Sequence, residues 1–254
     1  TTTTMASYTG EAMAMGERTP LAVSSGPASA GMALAEAITN IMAADIQQLS
    51  DIRLSANWMA AANYSNEDSI LYDTVDTLSR LCRALNIAIP VGKDSLSMQT
   101  QWQQQNEHKQ VVSPVSLIVT AFSPVQDIRN TWTPELRLDQ GETSLLLINL
   151  GAQSPRLGGS CLAEILNADD TRIPDLAEVE YLKQFFDFMQ QLRAAGQVLA
   201  YHDRSDGGLW TTLCEMAFSA RCGLNIDIDG LGDDAIASLF LSLIHISEPT
   251  RPLY

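Results

Sequence analysis

The chain has 254 residues, with 30 acidic against 15 basic side chains and a formal net charge of −15. A hydrophobic share of 46% is typical of globular proteins and excludes a disordered acidic chain. The negative charge opposes phosphate backbones and anionic lipids, which argues against nucleic acids and membranes as partners.

The first half of the chain predicts alternating helices and strands. Apolar residues recur at helical spacing after Ser25 and Ser29, either of which could cap a helix. In chain order, the predicted elements are a helix over 28–47, a strand over 52–59, a helix over 66–85, a strand over 87–91, a turn over 92–95, a polar loop over 99–110 and a strand over 115–122.

The second half repeats this alternation after an irregular stretch at 123–141, where we place a domain boundary. Its predicted elements are a strand over 145–150, a helix opened by 158–160, a helix over 177–195, a strand over 198–201, a polar turn over 202–208, a helix over 209–220 and a strand over 224–228. Strands alternating with helices in both halves predict a pair of α/β or α+β domains.

The four cysteines are scattered, with no C-x-x-C pair and no His at metal-ligand spacing. This distribution indicates free thiols in a reducing cytoplasm rather than zinc or disulfides. No apolar run is long enough to span a bilayer, and the N-terminus has no signal-peptide pattern.

The polar turn at residues 202–208 is the sharpest local feature. It follows a strand, ends in two glycines and opens a helix, which is a geometry that exposes backbone amides to phosphate. Asp203 could bind Mg²⁺ there, and Ser205 offers a hydroxyl. The alternative is a polar turn that only caps the next helix.

Two further groups of residues are candidates for ligand binding. Glu36 and Asn40 lie four residues apart, on one helix face, and both offer oxygen ligands for a hard cation. On spacing alone, a solvated helix face explains them better. Lys93 and Ser95 follow a predicted strand, but the P-loop pattern is absent, so they are either phosphate contacts or part of a surface turn.

Five segments in fixed order resemble one family, the large single-chain bacterial phosphoribosylformylglycinamidine synthases. The segments are residues 10–18 (GEAMAMGER), 36–40 (EAITN), 54–59 (LSANWM), 92–98 (GKDSLSM) and 202–209 (HDRSDGGL). The resemblance extends to about Phe240 and covers an internal piece, the second half of the family's synthetase region. Other members of the superfamily, such as selenophosphate synthetases, fit residues 10–18 and 54–59 less well.

The resemblance implies a two-domain unit like aminoimidazole ribonucleotide synthetase. Residues 1–126 would be the barrel-forming N-domain, with a truncated start, and residues 140–240 the outer α/β C-domain, also truncated. Residues 241–254 match nothing in the family and look like translated adapter sequence. We therefore expect them to stand outside the fold, which would leave a sheet edge uncovered.

The resemblance also implies an activity. The family converts formylglycinamide ribonucleotide to formylglycinamidine ribonucleotide in purine biosynthesis, as an ATP-dependent carbon–nitrogen ligase that uses ammonia from glutamine. Its magnesium ligands fall on Glu36, Asn40 and Asp203, and a nucleotide contact falls on Ser205. The alternative is a structural module that holds Mg²⁺ and ADP without turnover.

The chain also departs from the family pattern. A further magnesium-binding Asp of the family lies upstream of Thr1, and the glutaminase domain is missing. The resemblance implies that the other synthetase half and a glutaminase domain are partners in the parent protein, and that this piece alone is inactive.

Overall fold

The computed structural model describes residues 1–150, 156–168, 172–176, 178–204, 206–232, 234–240 and, as backbone, 244–249. Within these ranges, no helix combines the length and the apolar character needed to cross a membrane.

The N-terminal part of the chain forms six strands and three helices. They are β1 (Gly10–Glu17), α1 (Thr19–Ala22), α2 (Gly26–Ile41), β2 (Arg53–Met59), α3 (Glu67–Leu85), β3 (Ala88–Ser95), β4 (Gln99–Gln104), β5 (Glu107–Val112) and β6 (Ser116–Val125).

The described residues of the C-terminal part form three short strands and four helices. They are β7 (Leu146–Ile148), α4 (Cys161–Ile165), α5 (Val179–Ala194), β8 (Val198–Arg204), α6 (Gly208–Ala220), α7 (Ala235–Phe240) and β9 (Ile244–Pro249). The predicted mixture of α+β and α/β structure is confirmed.

A four-stranded sheet with the order β1-β6-β2-β3 organises the N-terminal part. The strands β2 and β3 are parallel and joined through α3, whereas β6 is antiparallel to both β1 and β2. Helix α2 begins after Ser25, whose hydroxyl accepts a hydrogen bond from the Ala28 amide. This helix crosses β1 at Gly16, where a side chain would meet the Ala33 carbonyl oxygen at 2.1 Å. Glycine therefore lets α2 lie directly on the strand.

Strand β1 has no counterpart among the predicted elements. Its less exposed positions carry mainly glycine and alanine, so the usual alternation of large apolar and polar residues is absent. Met13 and Met15 are 71% and 56% exposed on the opposite face. Met13 lies beside Phe122 of β6, which is also exposed. The outer face of the sheet is therefore apolar near β1.

Two predictions between residues 92 and 110 are wrong. Residues 92–95, expected as a turn, continue β3 because they pair with β2. The polar loop at 99–110 is a hairpin of β4 and β5, closed by Gln105 and Asn106 at positive φ. Such a two-residue turn favours pairing, and the glutamine-rich strands contain no apolar signal.

The C-terminal sheet has the order β7-β9-β8, with antiparallel pairing throughout. Strand β9 lies in its centre, so the expectation that residues 241–254 stand outside the fold is wrong for 244–249. Backbone pairing requires no particular side chains, and the residue types therefore did not reveal it. The strand predicted over residues 224–228 does not form, and those residues are largely exposed.

One hydrophobic core joins the two parts of the chain. Buried residues of α2 and the sheet belong to the same cluster as Leu182, Phe186 and Met189 of α5. This shared core fixes α2 between the N-terminal sheet and the C-terminal part, which places its polar residues at their junction.

Candidate functional site

Glu36 is the central residue of the candidate site. Its carboxylate accepts a hydrogen bond from the backbone amide of Glu17, at 2.9 Å. Burial raises the pKa of Glu36 to about 7, against the lowering effects of the Glu17 amide and of the Arg18 charge. The carboxyl group therefore lies where a negative charge is poorly solvated, and an added cation would stabilise its ionised form.

Asn40 lies one turn after Glu36 on α2 and reaches the same end of β1. Its side-chain amide nitrogen donates to the Met15 carbonyl, at 3.1 Å. This hydrogen bond uses the donor side of the Asn40 side chain, so the carbonyl side is the one suited to a metal ion. The two ligands predicted on α2 are therefore both anchored by β1.

Asp203 brings the C-terminal part to this site. It lies near the end of β8, is 8% exposed, and is close enough that its charge contributes to the raised pKa of Glu36. The imidazole of His202 is 3.5 Å from Asp203 on one side and 2.8 Å from Glu215 on the other. Burial lowers the pKa of His202, but the hydrogen bonds and charges of these two carboxylates outweigh it and raise the pKa.

The turn after β8 is attached to the N-terminal part through an ion pair. Arg18, which is 5% exposed, pairs with Asp206, which is 54% exposed. Gly207 and Gly208 follow at φ angles of 84° and 69°, which side chains rarely adopt. The turn is thus compatible with the predicted close approach to a ligand. Ser205, the predicted nucleotide contact, lies outside the described residues.

Two carboxylates and one amide form a donor set that suits a magnesium ion. Glu36 and Asp203 supply negative charge in a largely buried place, and oxygen ligands are those that Mg²⁺ prefers. Within the described part of the chain, no three His, Cys, Asp or Glu side chains group as metal ligands. The site fits Mg²⁺ only if Asn40 or the phosphates of a bound nucleotide complete the shell.

Lys93 and Ser95 do not belong to this site. They lie on β3, at the edge of the sheet opposite β1, and the Lys93 ammonium donates to the Ser95 hydroxyl. The structure therefore brings Glu36, Asn40 and Asp203 to one junction and leaves the two predicted phosphate contacts elsewhere.

Glu17 and Arg18 are parts of the site that the residue pattern alone did not indicate. Both end the segment 10–18, which carried the resemblance without any role for these residues. Arg18 also accepts, through its backbone carbonyl, a hydrogen bond from the Ser29 hydroxyl at 2.6 Å. The proximity of the buried Arg18 to the Glu36 carboxylate is a signal that only the tertiary structure provides.

Two family models match the chain in succession. Residues 1–124 match the FGAR-AT PurM_N-like domain, and residues 144–249 match the C-terminal domain of AIR synthase related proteins. The second match includes β9 and thus agrees with its place in the sheet.

Solved structures share the fold at low sequence identity. Thermotoga maritima PurL complexed with AMPPCP has a TM-score of 0.66 and 12% identity, covering 96% of this chain and 36% of that chain. The same protein complexed with FGAR has a TM-score of 0.64 and 11% identity, covering 95% and 38%. Escherichia coli HypE, a hydrogenase maturation protein, has a TM-score of 0.52 and 14% identity, covering 96% and 71%. The chain spans little more than a third of the PurL chains.

Proposed function

The chain belongs to the PurL-like family of FGAR amidotransferases, and on this basis we propose that it acts as the second half of a synthetase region. The reaction would be the ATP-dependent conversion of formylglycinamide ribonucleotide (FGAR) to formylglycinamidine ribonucleotide, with ammonia from glutamine. PurL of T. maritima has been solved with FGAR and with ATP, which supports this choice of substrates.

The juxtaposition of Glu36 and Asp203 is the observation that carries the proposal. One residue comes from α2 and the other from β8, and the shared core holds the two elements together. Their carboxylates, with the amide oxygen of Asn40, would hold Mg²⁺ bound to a nucleotide. When bound, the ion would neutralise phosphate charge.

The residues around the ligands would orient the nucleotide. The Glu17 amide fixes the Glu36 carboxylate, and the Met15 carbonyl fixes the Asn40 side chain. Arg18 places a positive charge near Glu36, which would offset part of the repulsion between the Glu36 and Asp203 carboxylates before a ligand enters. The amides of the turn at Gly207 and Gly208 would face the phosphates.

In the proposed reaction, the amide oxygen of FGAR attacks the γ-phosphorus of ATP, and ADP leaves. Ammonia then adds to the activated carbon, a proton is lost, and inorganic phosphate departs with the former amide oxygen. Because phosphoryl transfer depends mainly on positioning and charge neutralisation, a site of oxygen ligands, an arginine and backbone amides suits this chemistry.

The apolar outer face of the N-terminal sheet is the surface where a partner would bind. Met13 and Phe122 form part of this face, opposite to α2. Exposed apolar side chains of neighbouring strands are typical of a surface that another protein covers. The other synthetase half would pack against this face, and a glutaminase would supply ammonia.

Complementation tests the activity. The full-length protein that contains this chain should restore growth of a purine-auxotrophic strain that lacks the synthase, and Asp203→Ala should abolish or reduce this growth. Asp227→Ala, at an exposed aspartate of the C-terminal part, is the matched control. Failure of the wild-type protein to restore growth would refute the proposed reaction.

Nucleotide content tests the site and separates turnover from storage. Wild-type protein and Asp203→Ala would be purified under identical conditions and their bound nucleotide quantified after denaturation. Loss of both nucleotide and stability in the variant would support a structural Mg²⁺–ADP site. Loss of growth with retained nucleotide would support turnover at this junction, and equal content, stability and growth would contradict the site.

A further inference from the structure

Arg193, near the end of α5, contacts the C-terminal end of α2. Its guanidinium donates to the Met42 carbonyl at 2.6 Å and to the Ala43 carbonyl at 3.3 Å. It also donates to the Asn130 carbonyl. Met42 and Ala43 directly follow the last residue of α2, so the positive charge lies at the negative end of the helix dipole.

An aromatic pair extends this contact to β8. The Arg193 guanidinium lies 3.5 Å from the centre of the Trp132 ring, whose centre is 5.6 Å from that of Tyr201. The Tyr201 hydroxyl donates to the Thr39 carbonyl of α2 at 2.8 Å. Arg193, Trp132 and Tyr201 form what we call the clasp, which links α5, β8 and the end of α2.

Two backbone hydrogen bonds accompany the clasp. The Trp132 amide donates to the Ala43 carbonyl, and the Tyr201 amide donates to the Thr133 carbonyl, each at 2.9 Å. The connecting segment is therefore fixed to both sides of the junction. These two amides can also report, through hydrogen exchange, whether the clasp is closed.

Tyr201 is buried in the clasp, whereas Arg193 and Trp132 are half-buried, and this burial makes the charge of Arg193 costly. Desolvation lowers the pKa of Arg193 to about 10, so the side chain remains charged at neutral pH. Tyr201 is 3% exposed. A half-buried guanidinium that meets carbonyl oxygens and a ring fixes geometry through its planar, forked donors, which lysine cannot reproduce.

The clasp lies within three residues of the candidate site on both α2 and β8. Thr39 follows Glu36 by three residues on α2, a rise of about 4.5 Å. Tyr201 precedes Asp203 by two residues on β8, a distance of about 6.6 Å. The bond between Tyr201 and Thr39 therefore sets how β8 lies against α2 where Glu36 and Asp203 meet.

We infer that Arg193 and Tyr201 are positioning residues, which hold α2 and β8 at the separation needed for Glu36 and Asp203 to share one cation. This inference rests on the proposed function for the identity of the ligand. The clasp itself, formed by carbonyls, a ring and a hydroxyl, exists in the structure independently of that ligand.

The test uses the full chain and three variants. Arg193→Gln removes the charge and the fork, Tyr201→Phe removes one hydroxyl, and Arg193→Lys keeps the charge alone. Arg129→Gln is the control, because Arg129 also lies over an aromatic ring, Tyr8 at 3.6 Å, but is exposed and pairs with Asp127 rather than with α2, α5 or β8.

Each protein is measured in three ways: calorimetric titration with Mg²⁺–ADP, thermal unfolding without ligand, and hydrogen exchange of the Trp132 and Tyr201 amides without ligand. We expect Arg193→Gln to bind Mg²⁺–ADP about ten- to a hundred-fold more weakly, as for other residues that orient metal ligands. Tyr201→Phe and Arg193→Lys should show smaller losses, both amides should exchange faster, and Arg129→Gln should resemble wild type.

The outcomes separate this inference from the proposed function. A lower melting temperature with unchanged affinity in folded Arg193→Gln would overturn the positioning role, and so would unchanged exchange of the two amides. If Arg193→Gln does not fold, unchanged affinity in Tyr201→Phe and Arg193→Lys would overturn it as well. Wild-type protein that binds no Mg²⁺–ADP would refute the proposed ligand, while exchange would still show whether the clasp holds the junction.

Discussion

The Glu36 carboxylate accepts a hydrogen bond from the backbone amide of Glu17 at 2.9 Å, so this half-buried acid of α2 is bonded to the last residue of β1. This bond and the nearby Arg18 charge favour the ionised carboxylate, but burial outweighs both. In the absence of a cation, the protein therefore holds a carboxyl group whose ionisation is unfavourable near neutral pH. That property has a measurable consequence for stability.

Stability of the metal-free protein should fall as the pH rises from about 4.5 to about 7. The pKa of Glu36 is raised from 4.5 to about 7 in the folded state, so across this window the folded protein keeps a proton that the unfolded chain has lost. The contribution of Glu36 is complete below pH 4.5 and is lost through pH 7. Urea unfolding at closely spaced pH values measures it.

Glu36→Gln isolates this effect from that of His202, whose raised pKa acts in the same direction. The variant should have a flatter profile and exceed the metal-free wild type in stability at pH 8. Added Mg²⁺ should stabilise the wild type at pH 8 and leave the variant unchanged. Parallel profiles for the two proteins would contradict the raised pKa.

Gly16→Ala should destabilise the protein by about 1–3 kcal/mol, because the added methyl group would overlap the backbone of α2. Since α2 carries Glu36 and Asn40, the same change should weaken nucleotide binding. Denaturant unfolding measures the first effect and calorimetry the second. Gly223→Ala, where a methyl group meets nothing within 4 Å, should change stability by less than about 0.5 kcal/mol.

Asp206→Asn should lower the free energy of unfolding by about 1–2 kcal/mol, because it leaves the buried Arg18 without its ionic partner. Asp76→Asn is a matched control. The side chain of Asp76 is 47% exposed, similar to the 54% of Asp206, but its partner Arg80 is 63% exposed whereas Arg18 is buried. An exposed pair should contribute less than about 0.5 kcal/mol. Equal losses of unfolding free energy in the two variants would contradict the prediction, because they would show that the burial of Arg18 does not strengthen its ion pair.

The sequence indicates much of the fold because helices carry strong local signals. Helices α3 and α5 follow from apolar spacing, and α2 begins after Ser25, one of the two caps considered. The helix predicted over 28–47 ends at Ile41 instead, because Met42, Ala44 and Ile46 are apolar and buried but lie beyond the helix. Apolar spacing indicates burial, and burial continues beyond the helix at Ile46.

The site could be predicted only in part. Glu36 and Asn40 share a helix face by spacing, but the meeting of Glu36 with Asp203 depends on how β8 packs against α2. The roles of Glu17 and Arg18 depend on β1, a strand that the sequence did not predict because its inward-facing residues are small. Contacts between residues distant along the chain leave no pattern in a single sequence, so the clasp at Arg193 was not foreseeable either.

Met13→Lys should leave the fold stable, because Met13 is 71% exposed, and should weaken association with the other synthetase half. A charge introduced into an apolar interface must be desolvated on binding, which opposes the complex. Analytical ultracentrifugation of mixtures measures association. Val111→Lys, at a 61% exposed residue of the β4–β5 hairpin, is the control and should bind as wild type does. Equal binding by both variants would place the partner elsewhere.

Lys93→Ala tests whether Lys93, a predicted phosphate contact on β3, contributes to activity independently of the Glu36–Asp203 junction. Three strand spacings, about 14 Å, separate β3 from β1, so one phosphate group cannot contact both places. We expect the variant to keep its bound nucleotide, unlike Asp203→Ala, and to reduce growth of the complemented auxotroph. Loss of nucleotide would contradict the separation that the strand order imposes, whereas normal growth with normal nucleotide content would identify Lys93 as an ordinary surface lysine bonded to Ser95.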